Sequence, residues 1–127
     1  LVLEDGIPIV MACTPGGKGQ VQINFQIICH ILKYGMDVKR AVDAPRWLSG
    51  NPRRPNPMDT LFLETGIAPE IASALESKGH RVQRCNASDV DMFGSCLVTG
   101  FDKKSSNWYA VADKRRDARA IEIKQGV

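Results

Sequence analysis

The first part of the chain shows strand-like apolar spacing on both sides of a turn signal. Apolar runs at residues 1–4 and 9–13 flank Asp5-Gly6, a dipeptide that favours a two-residue β-turn because both residues tolerate positive φ. Pro8 stands at the start of the second run, where a missing backbone N–H is tolerated. The pattern predicts a β-hairpin that leads into a glycine-rich turn over residues 14–19.

The next segment has the spacing of a helix. Apolar positions recur at helical intervals over residues 20–34, and Gly35 is placed to end the helix in the left-handed conformation. Asn24 falls within the apolar arc, so its amide would need hydrogen-bond partners if buried. The stripe predicted to be buried against a sheet comprises Val21, Phe25, Ile28 and Leu32, with Ile27 and Ile31 beside it. The narrow polar face comprises Gln22, Gln26, His30 and Lys33.

The rest of the chain alternates between short strands, helices and loops. Asp37 is placed to cap a second helix over residues 38–43, which Pro45 stops. The remaining predictions are an extended loop over 48–60, a strand over 60–64, a helix from Pro69 to Gly79, a strand over 81–85, a loop over 86–94, strands over 95–101 and 108–112, and a last strand over 118–124. This order predicts an α+β fold, a mostly antiparallel sheet with helices on one face.

Composition bounds the class of protein. The chain has 127 residues, 43% of them hydrophobic and 24% charged, which is typical of a single globular domain and excludes a disordered tail. Its net charge of +3 is too small to indicate nucleic acid or a membrane surface as a partner. No apolar run approaches the roughly 20 residues of a membrane-spanning helix.

The cysteines do not indicate a metal site or a disulfide framework. They are widely spaced, without a C-x-x-C pair, so we expect free buried thiols and no metal. The four are Cys13, Cys29, Cys85 and Cys96.

The glycine-rich turn is the most informative feature for function. It lies where a strand leads into a helix, so the backbone N–H groups of Gly16 and Gly17 and the helix dipole can bind phosphate, carboxylate or a developing oxyanion. A P-loop is excluded, because Ala12 and Gly19 stand where that motif needs glycine and Ser or Thr. The alternative is a turn that serves only the close packing of the helix.

Other candidate residues have plainer interpretations. His30 and His80 are expected at the surface, and the charged stretch 113–117 is expected to be a salt-bridged turn. An arginine group could attract an anionic substrate or simply line a solvated loop. It comprises Arg46, Arg53 and Arg54. Carboxylates without a diagnostic spacing are Glu64, Asp89, Asp91, Asp113 and Asp117.

Short motifs follow one another along nearly the whole chain. They are Thr14-Pro15-Gly16-Gly17, Gln20, Gln26, Tyr34-Gly35-Met36-Asp37, Ala41-Val42, Ala44-Pro45-Arg46, Leu63-Glu64, Leu75, Gly79-His80-Arg81-Val82, Gly94, Ala112-Asp113 and Arg115. In this order and spacing the set resembles the small subunit of gamma-glutamyltranspeptidases and related cephalosporin-type acylases. Residues 17–20 are closer to the acylase-like branch. Lys114 stands where the family usually has proline, and Cys96 where it often has a polar residue.

The resemblance implies an N-terminal-nucleophile hydrolase with an αββα sandwich. In that family a precursor cleaves itself, and the new N-terminal threonine attacks a gamma-glutamyl amide with its own α-amino group as base. Gly16 and Gly17 would supply the oxyanion hole. The threonine and a substrate-binding serine pair precede Leu1 in the family's order.

We therefore expect residues 1–127 to be the C-terminal portion of a small catalytic subunit, inactive alone. Its partners would be the rest of the same precursor, namely the large subunit and the N-terminal part of the small subunit. The substrate would be a small gamma-glutamyl or acyl amide, with no cofactor, metal, nucleic acid or membrane. Two alternatives stay open: a module that binds a small anion without chemistry, and a catalytically dead relative with a structural role.

Overall fold

The protein forms two β-sheets with helices packed against them. The computed structural model describes residues 1–15, 17–50, 60–86 and 90–121. Its strands are β1 (Val2–Glu4), β2 (Ile7–Cys13), β3 (Trp47–Ser49), β4 (Thr60–Glu64), β5 (Arg81–Cys85), β6 (Leu97–Asp102) and β7 (Asn107–Ala112). Its helices are α1 (Gln20–Leu32), α2 (Val38–Asp43), α3 (Pro69–Ser77) and α4 (Val90–Phe93). The predicted α+β class is confirmed.

The larger sheet has four antiparallel strands in the order β1-β2-β6-β7. Asp5 and Gly6 have φ values of 51° and 77°, so the predicted hairpin turn between β1 and β2 is confirmed. Helix α1 packs on β2, and α2 packs on β7. This sheet is the antiparallel sheet that the order of elements predicts.

The smaller sheet contains a strand and a pairing that the sequence did not predict. Strand β3 pairs antiparallel with β4, and β4 pairs parallel with β5 through a crossover that contains α3. Leu48 and Ser49 are predicted to lie in a loop, because prolines crowd the residues that follow. Leu48 is fully buried, and this burial holds β3 in place. The prolines at 52, 55 and 57 lie outside the described residues.

The buried face of α1 differs from the predicted one. Val21 and Phe25 are 78% and 61% exposed, whereas Ile23 and Ile27 are almost fully buried. Gln26, assigned to the polar face, is buried too. The apolar arc was too wide for the spacing to select a face, and hydrogen bonds from the helix to β3 selected it instead.

Capping residues define the helix ends as predicted. Gly35 has a φ of 62°, and the Met36 N–H bonds the carbonyl of His30, which closes α1. The Asp37 carboxylate accepts the N–H of Arg40 at 3.1 Å, which caps α2.

The core joins both sheets to α1 and α2. Its buried members are Val10, Ile23, Ile27, Val42, Leu48, Phe62, Phe93, Cys96 and Val98. No disulfide joins the four cysteines; the sequence predicts buried thiols, but only Cys96 is buried, and Cys13 is exposed. Half-buried Asn24 accepts a weak contact from the Cys96 thiol at 3.8 Å.

The described residues cover only the first part of the last predicted strand, residues 118–124. Residues 118–121 form no strand, and residues 122–127 lie outside the described part of the chain. Among the described helices, none is long and apolar enough to cross a membrane.

Candidate functional site

The glycine-rich turn lies between the end of β2 and the start of α1. Gly17 has a φ of 53° and begins a single 3-10 turn, Gly17–Gly19, that continues directly into α1. Gly17 is exposed, and a Cβ built there meets no atom within 4 Å. Among the described residues, none accepts a hydrogen bond from the Gly17 N–H. Gly16, the other predicted donor, lies outside the described residues.

Thr14 and Pro15, which precede Gly17, contact a second segment of the chain, Gly94 and Ser95. The buried Thr14 hydroxyl donates to the Pro15 carbonyl at 2.9 Å and accepts the Ser95 N–H at 3.1 Å. Gly94 has a φ of 64° and lies directly against this turn. A Cβ on Gly94 would lie 2.5 Å from Thr14 Oγ1 and 2.7 Å from the Pro15 oxygen.

Four charged side chains form a buried cluster that contacts the residues on either side of this second segment. The buried charge cluster consists of Arg46, Glu64, Asp113 and Arg115. Arg115 contacts both oxygens of Glu64, at 2.7 and 2.6 Å, and one oxygen of Asp113 at 3.2 Å. Arg46 pairs with the other Asp113 oxygen at 2.5 Å, and its backbone N–H donates to Glu64 at 2.8 Å. Such a cluster is stable only because each charge has an opposite partner.

The buried charge cluster also fixes the backbone on both sides of Gly94. The Arg46 guanidinium donates to the carbonyl of Phe93 at 2.9 Å, and Asp113 accepts the N–H of Cys96 at 2.9 Å. Gly94 and Ser95 lie between these two anchors. The charges therefore determine the position of the segment on which Thr14 rests.

The pKa directions agree with this geometry. Burial alone would raise the pKa of Asp113, but the Cys96 N–H and the Arg46 guanidinium outweigh it, and the pKa is lowered. Burial would lower the pKa of Arg115, but hydrogen bonding and charge from Glu64 raise it. The cluster thus holds Asp113 as a carboxylate between two guanidinium groups.

Several predicted residues have other roles. Arg46 is buried rather than displayed to an anion, and Arg53, Arg54 and Asp89 lie outside the described residues. The charged stretch after β7 does form ion pairs, but Asp113 is fully buried rather than solvated. His80 is exposed as predicted. His30 is only half-buried, and its Nδ1 has no partner among the described residues.

No local sequence signal marks Thr14 and the buried charge cluster as parts of one arrangement. The spacing from Arg46 to Glu64, Asp113 and Arg115 gives no signal, because contacts between three separate segments of the chain, one of them the end of β4, bring these residues together. Within the described residues, no group of three or more His, Cys, Asp or Glu side chains could hold a metal ion. The chemically distinctive element that the structure describes is therefore the backbone turn at Gly17.

Comparison with known proteins places this arrangement in a family. The family model described as gamma-glutamyltranspeptidase matches residues 1–123. The chain is 28% identical over 123 residues to the glutathione hydrolase proenzyme of Bacillus subtilis strain 168, covering 97% of this chain and 19% of that protein. It is 30% identical over 86 residues to the glutathione hydrolase proenzyme of Escherichia coli K12, covering 65% of this chain and 13% of that protein.

Solved structures agree on the fold. Gamma-glutamyltranspeptidase from Pseudomonas nitroreducens superposes with a TM-score of 0.77 at 19% identity, covering 97% of this chain and 60% of that chain. Cephalosporin acylase from Bacillus halodurans gives a TM-score of 0.77 at 23% identity, covering 91% of this chain and 20% of that chain. The chain spans about a fifth of the length of the curated glutathione hydrolase proenzyme from B. subtilis. The chain belongs to the gamma-glutamyltranspeptidase family.

Proposed function

We propose that this chain is the C-terminal portion of the small subunit of an enzyme that cleaves or transfers gamma-glutamyl or similar acyl groups. The nucleophile would be an N-terminal threonine from the preceding part of the small subunit. The carbonyl oxygen of the substrate becomes negative when that nucleophile attacks. The N–H groups of Gly16 and Gly17 would stabilise this charge, which is typically the largest single contribution to such catalysis.

The observation that carries the proposal is the conformation of Gly17 at the start of α1. Its N–H has no acceptor among the described residues, and the helix dipole adds positive potential at this end of α1. Gly17 is also exposed, so a substrate can approach the backbone closely. The names of the B. subtilis and E. coli relatives supply the substrate class, since both are glutathione hydrolase proenzymes.

The test is an assay of the full-length precursor with a chromogenic gamma-glutamyl anilide. We expect turnover by the processed protein and only background rates from residues 1–127 alone. Gly17→Ala should lower kcat by about 10-fold or more, since losing one oxyanion donor costs on the order of 10²–10³ and a shifted donor retains part of its effect. Clear turnover by the chain alone would refute the proposal.

Gly35→Ala is the matched control for Gly17→Ala. Both glycines have positive φ, 62° and 53°, and a Cβ on either meets no atom within 4 Å. Both variants therefore introduce similar backbone strain, but Gly35 lies at the far end of α1. Equal losses of kcat in the two variants would show that strain alone is responsible.

Saturable binding of phosphate without turnover would favour the anion-binding module instead.

A further inference from the structure

Gly17 itself has no side chain that could hold the turn in one conformation. Glycine loses more backbone entropy on folding than any other residue, so such a turn needs support from its surroundings. An oxyanion donor must also be held to within a fraction of an ångström, because a misplacement of about 1 Å can cost on the order of 100-fold in rate. The residues that fix this turn therefore matter for any chemistry at it.

The first support is the hydroxyl of Thr14. It donates to the Pro15 carbonyl at 2.9 Å and accepts the Ser95 N–H at 3.1 Å, and the side chain is buried. A buried hydroxyl with a donor on one side and an acceptor on the other has a single favourable orientation. Thr14 thus ties the last residues before the turn to the segment at Ser95.

The second support is the absence of a side chain at Gly94. The backbone of Gly94 approaches Thr14 and Pro15 so closely that a Cβ would overlap Thr14 Oγ1 and the Pro15 oxygen. Its φ of 64° also disfavours any other residue. Because Arg46 binds the Phe93 carbonyl and Asp113 binds the Cys96 N–H, this segment cannot retreat without breaking charged hydrogen bonds.

We infer that Thr14 and Gly94 are positioning residues that set the direction of the Gly17 N–H for the oxyanion. This inference rests on the proposed function. Neither residue would touch the reacting atoms, and both would act through the backbone of the turn. Their loss should weaken binding of the transition state while leaving binding of the ground-state substrate largely unchanged.

The first test compares Thr14→Val with Thr14→Ser in the full-length precursor, with rates normalised to the processed enzyme. Valine keeps the shape but removes both hydrogen bonds, whereas serine keeps the hydroxyl. We expect Thr14→Val to lower kcat for a gamma-glutamyl anilide about 10-fold with little change in KM, and Thr14→Ser to retain most of the activity. Thr99→Val is the control, because it removes a hydroxyl bond to the Tyr109 carbonyl on β7.

The second test uses Gly94→Ala, with Gly35→Ala as its control for strain. A Cβ at Gly94 displaces Thr14 and Pro15, whereas a Cβ at Gly35 meets nothing within 4 Å. We expect Gly94→Ala to lower kcat at least as much as Thr14→Val. Should it prevent folding, Thr14→Val still tests the inference.

An equilibrium readout separates positioning from general destabilisation. A gamma-boronate analogue of glutamate forms a negatively charged tetrahedral adduct, whereas glutamate itself resembles the ground state. The Kd of the boronate should rise about 10-fold in Thr14→Val while the Kd of glutamate stays within about 2-fold. Parallel weakening of both ligands would overturn the positioning role.

The variants distinguish a failure of the positioning role from a failure of the proposed function. If Gly17→Ala lowers kcat but Thr14→Val and Gly94→Ala behave like their controls, the positioning role is wrong and the oxyanion hole stands. If Gly17→Ala behaves like Gly35→Ala, or the wild-type precursor shows no turnover, the proposed function itself is wrong, and the positioning role is overturned with it.

Discussion

The side-chain amide of Gln26 hydrogen-bonds both backbone polar groups of Trp47. Its oxygen accepts the Trp47 N–H at 3.1 Å, and its nitrogen donates to the Trp47 carbonyl at 2.8 Å. Gln22, one helical turn earlier, makes the same pair of bonds to Ser49, at 2.8 and 3.1 Å. Strand β3 is an edge strand, so the two glutamines occupy the positions that a further strand would take.

This relationship predicts that Gln26 contributes to stability more than Gln22 does. Gln26→Met keeps the approximate volume but leaves two backbone groups of Trp47 without partners in a partly buried site. We expect the free energy of unfolding to fall by about 1–3 kcal/mol. Gln22→Met is the control, because the bonds to Ser49 are exposed and water can replace them, so its loss should stay below about 1 kcal/mol. Urea denaturation of the protein measures both, and equal losses would contradict the prediction.

The burial of an ion pair, rather than the distance between its charged atoms, should determine how much the pair contributes to the free energy of unfolding. Asp113→Asn leaves Arg46 buried beside a neutral amide, and we expect a loss of about 3 kcal/mol in the free energy of unfolding. The Lys39–Asp43 pair is as short, at 2.6 Å, but it is exposed. Lys39→Ala should therefore change stability by at most about 0.5 kcal/mol. Similar losses in the two variants, measured by urea denaturation, would show that the cluster is not stabilising in this way.

The lowered pKa of Asp113 predicts an acid-dependent loss of stability. In the unfolded chain this carboxyl titrates near its ordinary value of about 3.9, but in the folded protein it stays ionised to lower pH. Its stabilising effect is therefore present above pH about 4 and is lost as the pH falls through the folded-state pKa. Unfolding free energies measured across this range should show a shallower slope in Asp113→Asn than in the wild type. Identical slopes would exclude Asp113 as the source.

Cys96 should be unreactive in the folded protein. Burial raises the pKa of its thiol to about 11, so almost no thiolate exists at neutral pH. We expect alkylation of Cys96 by iodoacetamide, followed by peptide mass spectrometry, to be at least about 100-fold slower in native buffer than in denaturant. The unfolded protein serves as the control for the intrinsic reactivity of the same residue. Comparable rates in both states would mean that the segment around Gly94 opens readily.

Much of the secondary structure could be predicted from local chemistry. Asp5-Gly6 predicted its hairpin, Asp37 predicted the start of α2, and Gly35 predicted the end of α1, because each of these signals acts within a few residues. Strand β3 could not be predicted, since its stability comes from β4 and from two glutamines that lie 21 and 27 residues away in sequence.

The sequence by itself determined the order of the strands and helices other than β3 and α4, the glycine turn before α1 and the family to which the chain belongs. All of these depend on residue types at short spacings or on an ordered set of motifs. Only the tertiary structure decided which face of α1 is buried, and that the charged side chains of Arg46 and Asp113 are buried away from solvent. It also decided that Gly94 lies against Thr14. These facts depend on contacts between residues up to 81 positions apart, and no local propensity encodes such contacts.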